Sequence, residues 1–145
     1  MTNLYLIGYE GESLKSFLNR LKCLKIKAVV DVREIPLSHK NSFSKENLKK
    51  SLDKQGIRYY HFQELGSPTK IRKELHLTGN YLTFFKKYRK YISEKKSSLN
   101  KLVEIIIEEK TSALLCYEKE YELCHRSIVT DEIMNLNSQI VPTPI

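Results

Sequence analysis

The chain has 145 residues, 41% of them hydrophobic, which suffices for one domain that buries roughly two-thirds of its unfolded surface without staples. No run of about 18 apolar residues occurs and Leu4–Ile7 is too short for a signal sequence, which argues against a membrane span and for a cytoplasmic protein. Its three cysteines, an odd count, are expected to be free thiols, and its net charge of +8 equals the surplus of residues 70–101 alone, where ten Lys/Arg face Glu74 and Glu94.

Leu4-Tyr5-Leu6-Ile7 predicts a first strand stopping at Gly8, and Leu14, Phe17, Leu18, Leu21 and Leu24 follow at helical spacing. Ala28–Val32 predicts a second strand covered on both faces, which Pro36 keeps from extending. Ser44 is expected to cap a helix carrying Leu48 and Leu52, with Gly56 as its left-handed terminator. Ile57–Tyr60 predicts a third strand. Residues 64–80 lack sustained periodicity and read as a long excursion with about one helical turn.

Tyr81, Phe84, Phe85, Tyr88 and Ile92 then form a helical stripe whose aromatics belong to a core. Lys86, Lys87, Arg89 and Lys90 lie outside it, either as a solvated face or as a nucleic-acid-binding surface. Leu99, Leu102, Val103, Ile106 and Ile107 mark the next helix, Ala113–Cys116 a fourth strand, and Ile128, Val129, Ile133 and Leu136 a closing helix that begins at Cys124. Gln139–Val141 predicts a short last strand. Such alternation implies a three-layer α/β domain over residues 1–145, with a mostly parallel sheet of about five strands and helices on both faces.

If the strands are parallel, their C-terminal ends share one rim, the usual ligand site of open α/β sheets. Gly8-Tyr9-Glu10-Gly11, Asp31 and Arg33, His61, and Cys116-Tyr117-Glu118 all fall there, beside Cys124-His125-Arg126. Cys116, Glu118, Cys124 and His125 are the candidate catalytic set. Cys124 at a helix start beside Arg126 is placed for thiolate chemistry, and His125, facing the core, serves either as a base or as a hydrogen-bond lock on a backbone carbonyl. Both cysteines read equally as small core residues. Arg33 and Arg126 are the candidate anion-binding pair, with Asp31 and His61 in support; the other reading makes both arginines part of an internal ion-pair network with Asp31 and Glu118.

These residues resemble a known family. Ile7-Gly8-Tyr9-Glu10-Gly11, Val30-Asp31-Val32-Arg33 with Pro36 and Ser38, Phe43-Ser44, Gly56 to His61, Leu65-Gly66, Leu115 to Glu118 and Cys124-His125-Arg126 are similar to the bacterial and archaeal domain of unknown function 488. The chain departs from it at His39-Lys40, where a basic residue usually follows Pro-x-Ser directly, and at Ser67, where a second glycine is usual. The resemblance implies no particular reaction.

Spacing argues against several sharper readings. A phosphatase-type loop would need arginine at Glu122. No close Cys-x2-Cys pair suggests a metal, and a fourth ligand would have to come from His61 or His39, so no metal and no cofactor are expected. No glycine-rich dinucleotide or Walker loop is present. Two functions remain: a small enzyme acting on an anionic, nucleotide-like or phosphate-bearing small molecule at the rim, or a nucleic-acid-binding or protein-interaction module using the basic face of residues 70–101.

Overall fold

The structure, a computed structural model, describes residues 1–38 and 40–145. Five parallel strands form one sheet: β1 (Thr2–Gly8), β2 (Ala28–Asp31), β3 (Arg58–His61), β4 (Thr111–Cys116) and β5 (Ile140–Pro144), in the order β3-β2-β4-β1-β5. The central strand is therefore β4, the most continuously apolar stretch of the sheet, with every residue from Ser112 to Cys116 buried. A strand flanked on both edges and both faces has no side left for solvated residues.

Side-chain alternation splits the core into two layers. Val29, Ala113, Ile7 and Leu115 face α1 (Leu14–Cys23) and α2 (Lys45–Lys54), which contribute Phe17, Leu21, Leu48 and Leu52. Leu4, Leu6, Val30 and Leu114 face the other way, toward α4 (Tyr81–Ile92), α5 (Lys96–Glu109) and α6 (Arg126–Leu136). Tyr88 and Ile92 of α4 sit in that second layer and Phe84 is buried with them, so most of the aromatic stripe is a core face as its spacing predicts, while Tyr81 at the helix start is exposed.

Three local expectations are corrected. Residues 69–78 form a full helix, α3 (Thr69–Thr78), where one turn was expected; none of its residues is buried, so no apolar period marks it in the sequence. Its first turn is held by Glu34, whose Oε1 accepts from the Thr69 amide at 3.1 Å and from the Thr69 hydroxyl at 2.5 Å. Ser44 occupies the N-cap position of α2, but its hydroxyl accepts from the Ser38 amide at 3.2 Å and makes no cap bond within the helix. The closing helix starts at Arg126, with His125 as its N-cap residue, two positions later than expected. Gly56 does follow α2 with a positive φ of 72°, the left-handed terminator that its position predicts.

A candidate thiol–histidine–arginine site at the sheet rim

Strand register places the predicted residues side by side. Gly8 pairs with Cys116, Asp31 with Leu115 and Asp31 with His61, so the ends of β1, β2, β3 and β4 form one row. Gly8 is required there by packing: a Cβ on it would overlap the Glu118 carbonyl oxygen, and the chain after β4 folds directly over it. Alternation then divides the row. Asp31, Arg33 and His61 belong to the α1–α2 side, and Cys116, Cys124, His125 and Arg126 to the α4–α6 side.

On the α1–α2 side, Arg33 is buried and almost fully committed. Its Nε and Nη2 donate to the Asp31 carboxylate at 2.9 and 2.7 Å, and Nη1 donates to the Tyr9 hydroxyl at 3.0 Å and the Phe43 carbonyl at 2.8 Å. Burial alone would lower the guanidinium's proton affinity, but the hydrogen bonds and charge of Asp31 outweigh it and raise it. Tyr59 donates to Asp31 Oδ2 at 2.5 Å, and burial together with that carboxylate pushes the phenol well up. His61 Nε2 lies 2.7 Å from the Arg33 carbonyl; a carbonyl only accepts, so Nε2 carries the proton. Lys40 ties the neighbouring loops by donating to the Glu12 carbonyl at 2.7 Å and the Tyr9 carbonyl at 3.2 Å. Arg33, Asp31 and His61 thus form an internal network that fixes the loop after β2. His39 lies outside the described residues.

On the other side, β4 and the start of α6 bring two thiols and an imidazole together. Cys116, Cys124 and His125 are at most 5% exposed, and Arg126 is fully buried. The sulfurs of Cys116 and Cys124 lie 3.8 and 3.5 Å from His125 Nδ1. His125 Nε2 sits 2.6 Å from the Val32 carbonyl, which makes it the protonated nitrogen and turns Nδ1 toward the sulfurs. The Tyr88 ring packs edge-on against the imidazole, with centroids 5.4 Å apart. The Cys116 thiol donates to Glu118 Oε2 at 3.1 Å. Arg126 Nε donates to Cys124 Sγ at 3.4 Å and its Nη2 to the Glu118 carbonyl, while Nη1 has no hydrogen-bond partner.

The two thiols titrate in opposite directions. Burial, with the neighbouring Cys124 and Glu118, pushes Cys116 well up. Burial alone would also raise Cys124, but the adjacent Cys116 thiol and the charges of His125 and Arg126 hold it well below the usual thiol range. Burial would lower His125, yet Cys124 and the Val32 carbonyl raise it, and burial raises Glu118. Of the two thiols, Cys124 is therefore the one disposed toward the thiolate form, the form in which a cysteine is a nucleophile or a metal ligand.

Arg33 and Arg126 share no hydrogen bond or ion partner among the described residues. They sit in networks on opposite faces of the sheet, linked through the backbone of Val32 and Arg33 in the loop after β2, which does not fit the expectation that the two grip one anion. Tyr9, Tyr59 and Phe43 complete the Arg33 network and were not among the candidates; each lies in a segment that carries the family resemblance, but nothing in their residue type pointed to Arg33. The ligand atoms of Cys116, Cys124 and His125 all lie within 4.8 Å of one another, a proximity that their spacing along the chain does not reveal. On the basic face, Lys86, Lys87, Arg89 and Lys90 are exposed. Lys87 pairs with Glu74 at 2.5 Å, and Arg89 lies 3.5 Å from Asp131 and 3.9 Å from Glu132.

A parallel three-layer α/β sheet with a buried cysteine–histidine–arginine cluster at its C-terminal rim defines the class. The profile described as "Domain of unknown function DUF488" matches residues 13–133, and the chain belongs to that family. No match was found among the curated proteins or among the solved structures. Among the described residues, no helix is long and apolar enough to cross a membrane.

Proposed function

We propose that the chain is a small enzyme that works at the α4–α6 side of the rim on a substrate bearing a phosphate or carboxylate. Cys116, Glu118, Cys124 and His125 are the reacting set, and Arg126 holds the anion. The observation that carries this reading is Arg126 itself: it is 0% exposed, its donors reach only Cys124 Sγ and the Glu118 backbone carbonyl among the described residues, and Nη1 has no hydrogen bond. An arginine retains its charge when buried, so such a position calls for an anion. The position also lies outside the carboxyl end of the central strand, where α/β sheets take their ligands.

Residues 117–123 connect β4 to α6 beside the cluster and leave Tyr117 and Leu123 exposed. Arg33 serves this reading as an organiser of the adjacent loop, since its donors are used by Asp31, Tyr9 and Phe43.

Titration calorimetry with inorganic phosphate and with nucleoside monophosphates tests the proposal. Binding should weaken at least about tenfold in Arg126→Gln, the effect of one lost charge-assisted hydrogen bond. Cys124→Ser should retain binding, which guards against a variant that merely unfolds. Unchanged affinity in a folded Arg126→Gln would overturn the anion role. The competing nucleic-acid reading predicts instead that Lys86→Glu with Lys90→Glu weakens binding of a labelled oligonucleotide, with log affinity falling linearly in log salt.

A further inference from the structure

Two sulfurs and one imidazole nitrogen within 4.8 Å of one another form a ready donor set. A tetrahedral zinc ion, with metal–sulfur bonds of about 2.3 Å and metal–nitrogen bonds of about 2.05 Å, holds its S and N ligands about 3.6 Å apart. The observed separations from His125 Nδ1, 3.8 Å to Cys116 Sγ and 3.5 Å to Cys124 Sγ, bracket that value.

The surroundings fit the same occupant. His125 must carry its proton on Nε2, which donates to the Val32 carbonyl at 2.6 Å; this leaves the Nδ1 lone pair of the neutral ring directed at the sulfurs. A backbone carbonyl on the distal ring nitrogen is the usual outer support of a metal-bound histidine. Arg126 Nε donates to Cys124 Sγ at 3.4 Å, an N–H···S bond of the kind that stabilises a bound thiolate. Charge closes as well: two thiolates neutralise a divalent ion. Glu118 Oε2 lies 3.1 Å from Cys116 Sγ, which puts a carboxylate next to the cluster without making it one of the three close donors. Thiolate donors select zinc over magnesium or calcium.

We propose that Cys116, Cys124 and His125 bind a zinc ion through Sγ, Sγ and Nδ1, with the fourth position open. The inference deepens the enzyme reading, because three protein ligands with one open position is the pattern of catalytic rather than structural zinc. It also answers the spacing objection: the ligands come from the end of β4 and the start of α6, which only the fold makes neighbours.

The test uses the full chain, purified under reducing conditions without chelator. Elemental analysis should give one zinc per chain, and cobalt(II) exchange should give a thiolate-to-cobalt charge-transfer band. Cys124→Ser and His125→Asn should each weaken zinc binding by about a hundredfold or more, whereas Cys23→Ser, at an exposed cysteine of α1, should leave it unchanged. Failure of the wild-type protein to take up stoichiometric zinc when it is supplied, or cobalt binding without the thiolate band, would overturn the site whether or not the variants fold. Phosphate binding lost in Arg126→Gln with zinc retained would leave the site standing and separate it from the anion reading; phosphate binding without any zinc would do the reverse.

Discussion

Asp31 and Arg33 lie two residues apart, and their side chains meet in a fork on the α1–α2 side of the sheet end. With side chains only 0% and 5% exposed, neither charge can fall back on water. Removing one partner strands the other, which typically costs about 3–5 kcal/mol, whereas replacing both with apolar groups costs far less. Asp31→Asn should therefore lower the urea midpoint sharply, and Asp31→Asn with Arg33→Met should recover part of the loss. A double variant no better than the single would show that the pair is not the source of the effect. Much of this network was readable in the sequence, since an aspartate and an arginine at a strand end invite pairing. Its completion by Tyr9, Tyr59 and Phe43 was not, because those contacts join residues of three other segments.

Among the elements, α3 shows how a helix can leave no trace in its sequence. Periodicity records burial, and α3 buries nothing; its N-cap residue, Pro68, has no side-chain acceptor, and the acceptor comes from Glu34. Glu34→Ala should fray the first turn of α3 at a cost of about 1 kcal/mol, seen as roughly fivefold faster hydrogen exchange at the Thr69 to Arg72 amides with α5 unaffected. Equal exchange in the variant would mean that packing against α4 alone holds the helix. By contrast α4 was legible, since Phe84, Tyr88 and Ile92 are buried at the spacing that its sequence displays. Gly66 adds a steric reason for the Leu65-Gly66 motif: a Cβ there would overlap the Glu34 backbone, so the loop that brings Glu34 to α3 needs glycine at that contact.

For the molecule as a whole, burial sets what solution chemistry can reach. Cys23 is exposed, while Cys116 and Cys124 are 5% and 1% exposed. Iodoacetamide should label Cys23 first in the native protein. Cys116 and Cys124 should lag by about a hundredfold, equivalent to an opening free energy of roughly 3 kcal/mol, and mass spectrometry of timed digests reads the order directly. Prompt labelling of Cys124 in the folded protein would show that the cluster stands open in solution.

The amino-acid pattern alone determined the parallel α/β architecture, the two helical layers and the gathering of polar residues at strand ends, because each is written in local periodicity and in short apolar runs. Tertiary structure decided which of those residues work together. Alternation along the strands sends Asp31 and Arg33 to one face and Cys116 to the other, and the order β3-β2-β4-β1-β5 sets Cys116 at the centre of the rim, where α6 delivers Cys124, His125 and Arg126. Neither the separation of the two arginines nor the closing of a Cys–Cys–His triangle is a property of spacing along the chain; both follow from how a pleated sheet presents its two sides and from what packs on each.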